Sequence, residues 1–250
     1  MDMGIVGDAK AVTKALVMAI EEIIRPGSPI HNTNRISELI AMKEEWSSEL
    51  AKLAKPDATP IKPQTVFSQL QQAIDRKTIV VLDDGNAVAF GYRYLQFHNP
   101  RTFVSPLDLA CVGSGFPTAL GAKIAKPERM VVAVCGDGGF SMMLHELGTA
   151  VQNHINVTTV VLNNNCWAAE KAYQKYFYEG RYFGCALVNP NFAEVAEKFS
   201  ALGRRIERAG ELQAALSEAL HADKPSVIEV MADPDELSPP VRKDIIEATI

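Results

Sequence analysis

The sequence predicts an α/β fold: a doubly wound parallel sheet with helices on both faces, preceded by a helical N-terminal segment. Three observations predict it. Short, continuous apolar runs alternate with helical stretches, the pattern of strands buried on both faces. Two of these runs end in polar clusters. Met130-Val131-Val132-Ala133-Val134-Cys135 runs into Gly136-Asp137-Gly138-Gly139, and Val157-Thr158-Thr159-Val160-Val161-Leu162 runs into Asn163-Asn164-Asn165. Asp137 and Asn164 stand 27 positions apart, which leaves room for one crossover helix and makes a βαβ unit.

The elements follow in order. Asp8 reads as the N-cap of a helix reaching residue 24, with Val12, Leu16, Ala19, Ile20 and Ile23 on one face. Pro26-Gly27-Ser28-Pro29 stops it. A second, charge-rich helix over 36–53 carries Ile36, Leu39, Ile40, Trp46 and Leu50 on its apolar face, and Pro56, Pro60 and Pro63 mark a linker. Helix 65–75 then leads to strand 78–82, helix 87–97 to an extended 101–104, and helix 116–125 to the strand ending at Cys135. Helix 142–154 leads to the strand ending at Asn163. Helix 192–199, a short strand 205–207, helix 211–221 and strand 226–231 complete the domain. From Asp233 the chain is polar, contains Pro239-Pro240, and reads as a surface tail.

At 250 residues, with 47% hydrophobic and 22% charged residues, the chain can bury the core of one large domain or two small ones. The net charge is −5, with no basic block and no basic stripe interleaved with aromatics, so nucleic acid is not an expected partner. No apolar run approaches the roughly 18 residues of a membrane span. The N-terminus has no signal-peptide core. The four cysteines, Cys111, Cys135, Cys166 and Cys185, show no paired spacing, and Cys135 reads as buried. A reduced, cytoplasmic setting fits them. His145-Glu146 lacks the second histidine of a zinc-protease helix.

Parallel strands of one βαβ unit end on the same edge, where open α/β sheets bind ligands. One carboxylate and one amide oxygen there suit Mg²⁺, which keeps few protein ligands and takes the rest from phosphates. The glycines let backbone approach such phosphates, and the helix that follows offers unpaired N–H groups. The cluster reads as a metal–diphosphate cradle. A receiver-like or nucleotide-binding α/β domain would share that cradle but would have no use for Gly115-Phe116-Pro117.

Gly136-Asp137-Gly138, followed at that spacing by Asn163-Asn164, resembles the signature of thiamine diphosphate (ThDP) enzymes. Gly113-Ser114-Gly115-Phe116-Pro117 with Ala119-Leu120-Gly121-Ala122 resembles the segment under the thiazolium ring. Phe177-Tyr178-Glu179-Gly180-Arg181-Tyr182 and Asn189-Pro190-Asn191-Phe192 resemble the stretch after the metal motif in acetolactate-synthase-like members. Four motifs stand in the right order, over residues 62–230.

The resemblance implies ThDP and Mg²⁺ as cofactors. It implies Asp137, Asn164 and the carbonyl of Cys166 as metal ligands, and Gly136, Gly138, Gly139 and Trp167 as further cofactor contacts. Val112 stands where an apolar wedge bends the cofactor, although it is shorter than the usual Met, Ile or Leu. The carbonyl of Ala110 is expected to receive the cofactor's amino group. Asn86 is expected to touch the diphosphate, while Ala87 departs from the usual Gln-His. Glu170 lies where some decarboxylases carry an active-site glutamate, able to relay protons if buried; a helix N-terminal acid favoured by the dipole is the alternative.

Asp84-Gly85-Asn86, Arg93-Tyr94-Leu95-Gln96-Phe97, Pro100-Arg101, Trp167-Ala168-Ala169-Glu170-Lys171 and Gln174 most resemble sulfoacetaldehyde acetyltransferases, which form acetyl phosphate. Gly113-Ser114-Gly115 and Ala168-Ala169 depart from that group. Acetolactate synthase and 2-oxo acid decarboxylase chemistries stay open, all acting on a small-molecule substrate.

The resemblance also implies a domain plan: 1–27 as the tail of a middle domain, 28–62 as a helical linker, 63–232 as the diphosphate-binding domain and 233–250 as a C-terminal tail. On this plan the pyrimidine domain, which supplies the activating glutamate, is a separate piece. The chain is then a fragment or subunit with negligible activity of its own. A homo-oligomer is expected, a dimer with residues 113–122 near the contact, or a pyrimidine-domain partner. A complete small protein with an N-terminal pair of helices is the competing plan.

Overall fold

A computed structural model describes residues 3–24 and 33–238. The expected stop at Pro26-Gly27-Ser28-Pro29, the 27/28 boundary and Pro239-Pro240 lie outside the described residues. The chain divides into two compact units, residues 1–49 and 50–250.

The first unit holds α1 (Ala9–Ile23) and most of α2 (Thr33–Leu53). Asp8 caps α1, its side chain accepting from the Ala11 N–H at 2.9 Å. No residue of α1 is buried. Leu16 in α1 is 45% exposed, and Ile20 in α1 and Ile36, Leu39, Ile40 and Trp46 in α2 are half-exposed or slightly more. Residues 3–8 form no helix or strand and no ladder among the described residues.

The second unit is a six-stranded parallel sheet in the order β2-β1-β3-β4-β6-β5. Its elements are α3 (Pro63–Ala73), β1 (Ile79–Leu82), α4 (Asn86–Tyr94), β2 (Phe103–Val104), α5 (Gly115–Ala125), β3 (Val131–Gly136), α6 (Asp137–Met143), α7 (Glu146–Gln152), β4 (Thr158–Asn163), α8 (Ala168–Phe177), α9 (Phe192–Lys198), β5 (Leu202–Ile206), α10 (Ala209–Leu220) and β6 (Ser226–Met231). Pro63 starts α3 at its first turn, where a missing N–H costs nothing.

The strands alternate between two cores. Val80, Leu82, Val132, Val134, Val160, Leu162, Ile228 and Val230 pack with residues of α3, α4 and α10 on one face. Ile79, Val81, Val131, Ala133, Cys135, Val161 and Val227 pack with residues of α5, α6, α7 and α9 on the other. Residues that alternate along a strand point to opposite faces, so near-continuous apolar runs mean both faces are covered. The fold is the expected doubly wound α/β sheet. Among the described residues no helix is long and apolar enough to cross a membrane.

Four local expectations are corrected. The single helix over 142–154 is two: α6 begins at Asp137 itself, and Leu147 and Gly148 donate to Leu144 and His145 in i→i+3 bonds that tighten the chain at the junction. The strand placed at 205–207 is β5, Leu202–Ile206, an edge strand whose arginines broke the apolar run. Helix α8 is additional. The described part of the tail, 233–238, packs against the domain: Leu237 and Ser238 are buried, and Lys62 bonds Asp233 and Glu236, each at 2.8 Å.

Candidate active site

The strand order places the site. From β1 the chain moves outward to β2, then crosses back over β1 to β3. The crevice beyond the C-terminal ends of β1 and β3 is therefore a switch point, where doubly wound sheets take ligands. A cleft lies there. Asn86 enters it from the N-terminus of α4, and Val112 from the Gly-rich turn. Gly136, Asp137, Gly138 and Gly139 enter from the β3–α6 junction, and Asn164, Cys166 and Trp167 from the turn after β4. Glu170 enters from the first turn of α8.

Ala110 does not line the cleft. It is exposed, with φ of +51°. That left-handed conformation strains an L-residue, and such strain gathers at functional turns. Glu170 stands exposed on the rim, so the burial that a proton relay needs is absent in this chain.

The Gly-rich turn is shaped by Asp83, at the end of β1 and wholly buried. Its carboxylate accepts the N–H groups of Gly113, at 3.0 and 3.1 Å, and of Gly115, at 2.9 Å. Gly113 has φ of +88°, and a Cβ on Gly115 would lie 2.6 Å from the Asp83 Cβ. Both positions thus require glycine. Burial holds the Asp83 carboxyl above its ordinary pKa, against the pull of those N–H donors. The turn so fixed carries Val112 into the cleft.

Asp137 is 2% exposed. Burial pushes its carboxyl up to about 6, opposed by the Asn189 amide, which donates to Oδ2 at 2.7 Å, and by backbone N–H groups of Gly138 and Asn165. No lysine, arginine or histidine among the described residues pairs with it. A divalent cation would balance that charge. Of the three asparagines only Asn164 lines the cleft; Asn163 is buried and Asn165 is exposed. The Asn164 Oδ1 accepts from the N and Sγ of Cys166, each at 3.3 Å. Burial pushes the Cys166 thiol up to about 12, so a carbonyl, not a thiolate, is what this residue offers a hard cation.

The fit extends to a diphosphate. The Asn86 Nδ2 is buried without a hydrogen-bond partner and belongs to a residue of the lining. The Trp167 indole lies over Gly138, 2.4 Å from where a Cβ would sit, and forms an aromatic wall. Among the described residues no three His, Cys, Asp or Glu side chains cluster as a metal site.

Sequence reasoning missed three residues here. Asp83 had a signal, an acid at a strand end just as Asp137 is. Glu229 had one too, as the charge inside the apolar run 226–231. Asn189 had none beyond its place in a motif, since it meets Asp137 from 52 residues away.

Comparison with known proteins agrees with this geometry. Residues 83–230 match the thiamine pyrophosphate enzyme C-terminal TPP binding domain. Over 99% of its length the chain is 34% identical to a probable acetolactate synthase large subunit of Methanococcus aeolicus, covering 43% of that protein. It is 30% identical to a sulfoacetaldehyde acetyltransferase of Castellaniella defragrans, again over 99% of the chain and 44% of the relative. The chain thus spans less than half the length of these curated relatives. A solved ThDP-dependent 4-hydroxybenzoylformate decarboxylase from Rhodococcus jostii RHA1 superposes with a TM-score of 0.68 at 26% identity, over 73% of this chain and 34% of the other. With residues 83–230, more than half its length, matching that domain, the chain belongs to the thiamine pyrophosphate enzyme family.

Proposed function

We propose that this chain is the cofactor-binding part of a ThDP- and Mg²⁺-dependent enzyme that makes or breaks a C–C bond of a 2-oxo acid or aldehyde. Its nearest functional type is sulfoacetaldehyde acetyltransferase; acetolactate synthase and 2-oxo acid decarboxylase are the alternatives. One observation carries the reading: an unbalanced buried carboxylate, Asp137, shares a cleft at the sheet's switch point with Asn164. In this reading Asp137, Asn164 and the Cys166 carbonyl hold Mg²⁺. Backbone N–H groups of Gly138 and Gly139 and the orphaned Asn86 amide hold the diphosphate, beside Gly136 and Trp167. Val112 fixes the bend of the cofactor. Bound there, ThDP supplies a carbon nucleophile toward a carbonyl and a ring that takes up the electron pair. Glu170, on the rim, moves protons at the substrate once a cover excludes water from it. The choice of sulfoacetaldehyde acetyltransferase rests on the likeness of 84–86, 93–97, 100–101, 167–171 and Gln174 to that group.

The test is calorimetry of the chain with ThDP, with and without Mg²⁺. Binding should require Mg²⁺, and Asp137→Ala should abolish it while leaving the fold intact. Unchanged ThDP affinity in that variant overturns the assignment.

A second reading has a specific observation behind it. Leu109, Phe183 and Val188 are 82%, 89% and 101% exposed on segments that flank the cleft. Apolar side chains so exposed favour a covering polypeptide, either a second copy or a pyrimidine-domain subunit. The chain alone would then bind ThDP and turn nothing over. Product formation from pyruvate or sulfoacetaldehyde, assayed with and without a pyrimidine-domain partner, separates the two readings.

A further inference from the structure

Beneath Asp137 runs a chain of hydrogen bonds that the reading above does not use. Its far end is Glu229, a carboxylate on β6 with 0% exposure. Three donors point at it: Asn163 Nδ2 at 2.7 Å, Arg205 Nη1 at 3.0 Å and the Ala193 N–H at 3.3 Å. A carboxylate only accepts, so the Asn163 amide has one satisfied orientation, with Nδ2 toward Glu229 and Oδ1 away from it. That Oδ1 in turn accepts from Asn189 Nδ2 at 3.0 Å and from the Asn165 N–H at 3.2 Å. Asn189 must therefore present its NH₂ on this side. The same Nδ2 lies 2.7 Å from Asp137 Oδ2 and 3.3 Å from Asn165 Oδ1.

We propose that Glu229, acting through Asn163 and Asn189, fixes the orientation of the Asp137 carboxylate, and that these three are positioning residues for the metal ligand. The inference rests on the reading of Asp137 as that ligand. Its logic is one of polarity. The buried charge dictates which way the first amide points, the first amide dictates the second, and the second fastens one carboxylate oxygen. A cation entering from the cleft then meets a ligand already turned. Arg205, whose side chain is 32% exposed, balances Glu229 and ties the chain to the protein surface. Partners of this kind set metal affinity because they hold a ligand in place before the metal arrives.

Two substitutions break the chain at different points. Asn189→Ala removes the last link from a half-exposed loop residue, at little risk to the fold. Glu229→Gln keeps the shape but offers one acceptor oxygen and an NH₂ to the three donors. Either a buried donor goes unpaired or Asn163 flips and turns its NH₂ against Asn189.

Mn²⁺ titration of the full chain in the presence of ThDP, followed by paramagnetic resonance, reads the outcome. Each variant should bind Mn²⁺ about 10–100-fold more weakly than wild type. The double variant should be no weaker than the weaker single, because both act on one path. Effects that multiply, or an Asn189→Ala variant with wild-type affinity, overturn the proposal. A second readout needs no cofactor. In the metal-free chain Glu229→Gln should shift the side-chain amide signal of Asn189, a residue with no bond to position 229. An unmoved signal overturns the relay even if Glu229→Gln lowers stability. A wild-type chain that takes up no Mn²⁺ with ThDP would instead overturn the proposed function, and the amide signals would still decide the relay.

Discussion

The two units of this chain follow the same hydrophobic arithmetic and end differently. In α1 and α2 apolar residues recur on one helical face, yet Ile20, Leu39, Ile40 and Trp46 remain 50–52% exposed. In the α/β unit the strand residues Val80, Val132, Val134, Val160 and Ile228 are wholly buried. Both units carry the right pattern, but only one supplies the opposing layer. An amphipathic helix gains little until something covers its apolar stripe, whereas the sheet covers both its faces with helices from the same chain. The site inherits this division: every residue that lines the cleft comes from the covered unit.

The largest test of this contrast compares truncations. Phe140 is wholly buried, with edge-on rings of Phe116 and Phe192 each 5.5 Å away. Phe140→Ala should cost about 3–5 kcal/mol in chemical denaturation. Leu39→Ala, on a half-exposed face, should stay within about 0.5 kcal/mol. A Leu39→Ala cost near that of Phe140→Ala would mean that the first unit has a core of its own.

Next comes pH. The native Asp137 carboxyl titrates at about 6, against an ordinary value of 3.8. Between those values the folded chain holds a proton that the unfolded chain releases, so stability falls as pH rises through the window. The full loss, about 3 kcal/mol, is in place above about pH 6. Denaturation at a series of pH values should show this slope in wild type and lose it in Asp137→Asn. Mg²⁺ needs the ionised carboxylate, so its affinity should decline as pH drops below about 6.

A smaller effect probes the uncovered unit. With nothing buried in α1, its stability depends on local terms such as the Asp8 cap. Asp8→Ala should cost the helix about 1 kcal/mol, seen as lost helicity by circular dichroism with no change in the melting of the α/β unit.

The smallest effect concerns light. Trp46 and Trp167 are the two tryptophans, in the first unit and over Gly138 in the cleft. Adding ThDP and Mg²⁺ should alter Trp167 emission and leave Trp46 unmoved, so Trp167→Phe should abolish the change. A response that survives in Trp167→Phe would place the ligand elsewhere.

The sequence was most legible where burial was complete. The strands β1, β3, β4 and β6 stood out as apolar runs because both faces are covered, and β6 appears at the expected residues. Legibility failed at the edge: β5 carries Arg204 and Arg205 within its span, so its run was broken and its position misjudged. It failed again at α8, which the expected element order omits, although the alternative reading of Glu170 as a helix N-terminal acid points to it. For the candidate site, nine of the ten positions expected to touch a cofactor line one cleft, most of them in the turns after β3 and β4, which the topology aligns. Ala110 is the exception, set in a turn whose backbone the residue types do not announce. Asp83 and Glu229 stand out locally as acids at or within a strand, but the groups they bind lie 30 and 66 residues away, and Asn189, 52 residues from Asp137, has no local signal beyond its motif.

The strand order has a consequence for synthesis. Among the described residues β5 pairs only with β6, and β6 pairs on its other side with β4. As the polypeptide leaves the ribosome, β5 emerges first and finds no strand to bind, while β4 waits with an open edge. The final strand must wedge between two earlier ones, and it brings the acceptor for the Asn163 amide with it. A translation product that stalls before Ser226 therefore exposes a bare parallel edge, the kind of surface that joins chains to one another. The strand that closes the sheet is thus also the one that completes the support beneath the cleft.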